Sequence, residues 1–164
     1  MRIEHQFSIA GFEVSVSFPD GWDADTLLPS FRPFYGKKEG QEKALLKCTV
    51  CTSVENKAAM PSGELIENTL SDMGYVSLYK EAEGYCVTLS AEQGGTLHVM
   101  QADRCFSVVS VFLHEEDKRA GHALSSLLRI AYSQAVLYWD AVSIHASAVF
   151  CENQAFLLDR NSTR

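Results

Sequence analysis

Three groups of residues have types and spacings that could do chemistry. Cys48-Thr-Val-Cys51 has the C-x-x-C spacing of redox and zinc pairs. His145 and Ser147, with Asp140 upstream, supply the residue types of a base, a nucleophile and an orienting acid. His114-Glu-Glu-Asp117, followed by His122, offers metal-ligand types near a helix start.

The context of each group argues against that chemistry. The cysteine pair lies inside Ala44–Val54, a run with strand composition, and an odd separation on a strand sends two side chains to opposite faces. A second C-x-x-C that would complete a tetrahedral site is absent from the sequence. Ser147 has no Gly-x-Ser-x-Gly elbow around it and no visible oxyanion loop, so His145 and Ser147 read as a structural histidine beside a small strand serine. His122 lies roughly two helical turns beyond His114, too far to share one ion, and the His-Glu-x-x-His pattern is missing. Glu115, Glu116 and Asp117 read instead as favourable negative charge at a helix N-terminus. Catalytic residues, metal and cofactor are therefore all expected to be absent.

The remaining candidate surface is aromatic. Trp22, Phe31, Phe34 and Tyr35 fall in a stretch with little regular pattern and could line a groove for a ligand or partner. The favoured reading of the same four side chains is a small satellite core beneath a long loop.

These residues must be held by elements that the hydrophobic pattern outlines. Residues 2–18 alternate as a hairpin around Ala10-Gly11, with Ile3, Phe7 and Ile9 on one arm and Phe12, Val14, Val16 and Phe18 on the other. Residues 22–42 read as mostly irregular, ending in the polar loop Gly36–Glu42, and residues 44–54 as a strand. A loop is expected over 55–63, then a short helix or distorted strand over 64–71. A meander follows through Tyr75–Lys80, Tyr85–Ser90, Thr96–Gln101 and Cys105–Leu113. Its last strand is apolar on both faces, Phe106, Val108 and Phe112 on one and Val109, Val111 and Leu113 on the other, as a covered central strand requires.

One long helix is expected over 116–139, with Ala120, Leu124, Leu127, Leu128, Ala131, Ala135 and Tyr138 on its apolar side, widened by Ile130 and Leu137. Its wet side would carry His122, Ser126, Arg129 and Ser133. Val142–Cys151 and Ala155–Leu158 then read as a final strand pair. The fold class is α+β: a mainly antiparallel sheet of six or seven strands packed against one long C-terminal helix, followed by that pair. The division expected is an N-terminal domain over 1–139 and a strand pair over 140–164.

Composition narrows the function classes. A chain of 164 residues with 46% apolar content can form a core without disulfide or metal staples. Its net charge of -7, without a basic patch, argues against nucleic-acid binding and gives no attraction to anionic lipid. The sequence contains neither a signal-peptide pattern nor an apolar run long enough to span a bilayer. Four of the five cysteines sit in apolar, strand-like runs, which suits free thiols in a reducing compartment, so the expected location is cytoplasmic.

One resemblance adds lineage. His145-Ala-Ser-Ala-Val-Phe and the following Gln154-Ala-Phe-Leu-Leu158 resemble the strand pair that leads into the P-loop of HPr kinase/phosphorylase-like bacterial proteins, whose catalytic domains are similar to phosphoenolpyruvate carboxykinase. The segment before it, with Arg129, Ala131 and Leu137, is similar as well, and the resemblance covers about residues 120–158. In that family a glycine-rich loop ending in Gly-Lys-Ser/Thr follows; here the residues are Asp159-Arg-Asn-Ser-Thr-Arg164. Without those glycines and that lysine, the backbone cradle and the charge for phosphates are missing. The resemblance implies the N-terminal region of such a protein, truncated or degenerate before its P-loop. The expected role is a non-catalytic accessory, recognition or oligomerisation domain, with a homodimer through the C-terminal strands or another protein as partner. Two alternatives are half of a split ATP-dependent kinase and a small-ligand or peptide-binding module.

Overall fold

The computed structural model describes residues 1–36, 43–52, 60–143, 147–151 and 154–158, the last two ranges through their backbone alone. His145, the turn residues Glu152 and Asn153, most of the loops expected at 36–42 and 55–63, and residues 159–164 lie outside the described residues.

Strands β1 (Arg2–Ile9) and β2 (Phe12–Pro19) form the hairpin, in a register that pairs Ile3 with Phe18 and Phe7 with Val14. Its two turn residues, Ala10 and Gly11, have φ of 51° and 85°, the mirror-image turn that matches strand twist. A one-turn helix α1 (Ala24–Leu27) and a 3-10 segment (Pro29–Phe34) follow, so the stretch expected to be mostly irregular is partly helical. Asp23 caps α1 by accepting the Asp25 N–H at 3.0 Å and the Thr26 hydroxyl at 2.5 Å.

Next come β3 (Lys43–Thr52), β4 (Glu64–Ser71), β5 (Gly74–Lys80), β6 (Gly84–Ser90), β7 (Leu97–Asp103) and β8 (Val108–Leu113). They join the hairpin in one eight-stranded sheet ordered β1-β2-β3-β8-β7-β6-β5-β4. The sheet is mostly antiparallel, but β3 runs parallel to both neighbours, β2 and β8. Leu45, Leu46, Cys48, Val50 and Cys51 are all buried, the near-continuous apolar run that a strand at the centre of a sheet needs. Residues 64–71 resolve as a strand with an irregularity between Leu65 and Glu67.

Helix α2 (Ala120–Ala135) lies on one face of the sheet and packs against β3, β6, β7 and β8. Leu124, Leu127 and Leu128 are almost wholly buried there, among Cys48, Val87, Met100, Val109 and Val111. Each such leucine contributes about 1.5–3 kcal/mol of burial. Among the described residues no helix is long and apolar enough to cross a membrane.

Further expectations need correction. The sheet has eight strands rather than six or seven. The helix expected over 116–139 is cut at both ends. At its start the Asp117 carboxylate accepts the Arg119 N–H at 2.8 Å and the Asp117 carbonyl accepts the Ala120 N–H at 2.9 Å, a local turn that outcompetes a helical first turn. At its end Val136–Trp139 tightens into a 3-10 turn stopped by Asp140 at φ 53°. Ser126, expected on the wet face, is buried, because the helix presses a wider arc than the leucine stripe onto the sheet. Phe106 is not in β8; it sits in the preceding turn at φ 55° and folds back to stack on Tyr85 at 5.2 Å. Finally, Val142 and Ser143 belong to no strand. Downstream, β9 (Ser147–Cys151) and β10 (Gln154–Leu158) pair antiparallel with each other in a two-stranded sheet separate from the eight-stranded one.

Candidate functional site

Helix α2 covers the middle of the sheet but not its β4–β5 wing. Between that wing and the helix runs a cleft of about 440 Å³. Its floor is Val76 and Leu78 of β5 with Tyr85 and Val87 of β6, cross-strand neighbours on one face of the sheet. Ile130, Gln134 and Tyr138, spaced four apart along α2 and its 3-10 extension, form one wall, and Ile66, Glu67 and Thr69 of β4 the other. Phe106, stacked on Tyr85, and Arg104 close one end; Met73 and Ser71 lie toward the other.

The Arg104 end is held in place by hydrogen bonds. The Tyr138 hydroxyl donates to the Arg104 carbonyl at 3.0 Å, tying the helix extension to the β7–β8 turn. Asp103 organises that turn, accepting the Ser107 N–H at 2.7 Å, the Ser107 hydroxyl at 2.6 Å and the Val108 N–H at 3.2 Å. The Arg104 guanidinium donates to the Ala82 carbonyl at 3.1 Å and reaches Glu83 only at 4.0 Å, with both side chains largely in solvent.

The four aromatics expected as a ligand surface separate. Phe31 and Phe34 line a second cavity of about 510 Å³ with Ile9, Leu128, Arg129 and Tyr132. Phe31 is buried and meets Phe7 edge-on at 5.4 Å, while Tyr35 stacks on Phe7 at 4.8 Å. Burial and a hydrogen bond to Asp25 hold the Tyr35 phenol above its ordinary range. Trp22 packs partly buried against the main core. Trp22 and Tyr35 do not line that cavity.

A buried polar pair was not visible in sequence. His98 of β7 is 2% exposed. Its Nε2 lies 3.0 Å from the Asp117 carboxylate, and its Nδ1 faces the His114 backbone N–H at 3.5 Å. A backbone N–H can only donate, so Nδ1 is the acceptor and Nε2 carries the proton given to Asp117. Burial pushes the His98 pKa down, partly opposed by Asp117, with the His114 ring as a smaller further push downward. Asp117 is held below the usual carboxylate range, first by the Arg119 N–H and then by His98. The pair joins β7 to the turn before α2, and Asp117 also borders a polar cleft with Thr26, Glu115 and His122. The pair accepts hydrogen bonds from the His114 N–H and, on Asp117, from the Arg119 N–H, both backbone groups. Among the described residues no three His, Cys, Asp or Glu side chains gather where they could hold a metal ion.

Cys48 and Cys51 are free thiols, Cys48 in the main core among helix-facing residues and Cys51 outside it. Burial pushes the Cys48 thiol far up and the Cys86 thiol up to about 12. The thiolate is the reactive form, so iodoacetamide added to the native protein should leave Cys48 and Cys86 unmodified, and unfolding should expose both. Peptide mass mapping checks this; rapid native labelling of either residue would contradict the described burial.

Against known proteins, the chain matches no family model, no curated protein and no solved structure.

Proposed function

We propose that this chain is a non-catalytic recognition domain and that the cleft between α2 and the β4–β6 wing is its ligand-binding surface. The observation that carries this reading is the uncovered stretch of apolar sheet facing the Ile130-Gln134-Tyr138 stripe. Concave sites that bind small molecules are mostly apolar, with a few placed polar groups, and occur between packed elements. The cleft has that composition, with Tyr85, Tyr138 and Arg104 as polar groups toward one end, Gln134 along the helix wall, and Glu67, Thr69 and Ser71 on the β4 side.

The HPr-kinase-like lineage belongs to the same proposal. The antiparallel pairing of β9 with β10 supports it, being in keeping with the strand pair that precedes a P-loop in the resembling proteins. In this reading the domain over 1–139 recognises a ligand, and the segment after it corresponds to the start of a catalytic domain of that lineage.

Neutral Nile red, which brightens in apolar surroundings, tests the cleft. Gln134 is exposed on its rim, so Gln134→Trp places an indole over the groove without entering the core. The wild type is expected to bind the dye, and Gln134→Trp to weaken binding by about tenfold or more, roughly the loss of one well-packed apolar contact surface. Phe34→Ala, in the second cavity, should leave it unchanged. An absence of dye binding, or equal binding by wild type and Gln134→Trp, would remove the cleft as the site.

A further inference from the structure

We infer that the cleft selects a single-chain amphiphile with an anionic head, a fatty carboxylate, with its tail along Val76, Leu78 and Val87 and its head at Arg104. The inference rests on the cleft being the binding surface and adds the chemical class of its ligand.

Charge placement carries it. Among the residues lining the cleft Arg104 is the one cation and Glu67 the one anion. They stand apart: Glu67 is on β4 and Arg104 follows β7, three strands away in the sheet, or about 14 Å at the usual strand spacing. Glu67 pairs with Leu78, which pairs with Val87, so it stands level with the middle of the floor. Arg104 lies past Ala102, the partner of Tyr85, at the end of that floor. The cleft thus has an apolar floor with a cation at one end, and its one lining anion stands apart on the β4 wall.

The guanidinium is also available. Among the described residues its close partner is the Ala82 carbonyl, and its contact with Glu83 is long and solvent-exposed, a pair of the kind that contributes little. A carboxylate can take two parallel N–H groups from an arginine, a stronger and more directional arrangement. The net charge of -7 opposes an approaching anion at long range. At physiological salt that repulsion is screened over about 8 Å, leaving the contact at Arg104 to decide selectivity.

The test is displacement of Nile red from the full chain by dodecanoate, dodecanol and dodecyltrimethylammonium, each below its micelle concentration. Dodecanoate is expected to compete about tenfold better than the cationic amphiphile, a factor suited to one charge-assisted contact. Arg104→Gln should erase that preference without changing dodecanol, and Arg104→Lys should keep part of it, since it keeps the charge but loses the planar fork. Equal competition by all three head groups, or a preference that survives Arg104→Gln, overturns the carboxylate inference and leaves the cleft standing. Failure of every amphiphile to displace bound dye overturns the inference alone, whereas failure of the dye itself to bind removes the cleft as well. Recruitment to phosphatidylglycerol vesicles without competition by monomeric dodecanoate would identify a lipid surface as the source of the anion and also overturn it.

Discussion

Gly74→Ala should lower the unfolding free energy by about 3 kcal/mol, far more than an alanine at a surface turn ordinarily costs. Two independent features add at this residue. Its φ is 115°, outside the left-handed well that even asparagine can occupy, so any Cβ is strained. The added Cβ would also lie 2.4 Å from the Ser90 carbonyl oxygen and 3.2 Å from the Ala91 Cα, both backbone atoms that no rotamer change can move. Gly74 opens β5, and Tyr75 beside it pairs with Ser90, so relief requires β5 and β6 to separate where the floor of the cleft begins. Gly94→Ala is the control. It has φ 74° and nothing within 4 Å of the added Cβ, so only the backbone strain of roughly 1–2 kcal/mol remains. Urea unfolding of the two variants separates steric clash from strain; equal destabilisation would show that the β5–β6 backbone yields freely at Gly74.

The β5–β6 segment also illustrates what was legible in the sequence. Alternation and turn residues define the hairpin and each strand of the meander to within a few residues, because antiparallel neighbours joined by short turns leave their pattern in consecutive residues. The parallel placement of β3 between β2 and β8 leaves no such trace. Its partners lie far away in sequence, and the link from β2 passes through a one-turn helix rather than a full crossover helix. The start of α2 departs from its sequence pattern for a chemical reason. Glu115, Glu116 and Asp117 have the composition of a first helical turn, but Asp117 spends its carboxylate on the Arg119 N–H and on His98. Only the three-dimensional position of His98 reveals that second demand.

The cleft was half legible. Ile130 and Tyr138 read in sequence as part of the leucine face; in the structure they leave it and, with Gln134, form a stripe lining the cleft. That the stripe faces open sheet follows from the helix being narrower than an eight-stranded sheet, and a strand count of six or seven hides it. Arg104 carries no local signal at all; a single exposed arginine in a turn looks like any solvated charge until Tyr85, Phe106 and Tyr138 are placed around it. The aromatics at 22–35 misled in the opposite direction, since Phe31 and Tyr35 are occupied by packing on Phe7.

His98→Ala should destabilise the protein by about 3 kcal/mol at pH 8 and by less as the pH falls. At pH 8 the substitution leaves the Asp117 carboxylate without its imidazole partner, deprives the His114 N–H of an acceptor, and opens a cavity in a position almost closed to solvent. The pH dependence follows from the depressed folded-state pKa of His98. Above the unfolded value of about 6.5 the imidazole is neutral in both states and costs nothing. Below it the unfolded chain takes up a proton that the folded site resists, because burial disfavours the imidazolium and Nδ1 already accepts from a backbone N–H. Wild-type stability therefore falls as pH drops from 6.5 through the folded pKa, and His98→Ala lacks that component. Asp117 adds a second loss at lower pH, since its folded pKa lies below the ordinary carboxylate value of 3.8; the part due to the Arg119 N–H is shared by both proteins, while the part due to His98 is missing from the variant and so also narrows the gap. The gap between wild type and variant should accordingly be widest at pH 7–8 and narrow toward pH 5. His98→Gln, which can still offer a donor to Asp117, should recover part of the stability at pH 8 without restoring the slope. A gap that stays constant or widens on acidification would mean that the Asp117 carboxylate outweighs desolvation and that His98 is charged in the folded protein, reversing the proton assignment on which the β7–α2 link is built.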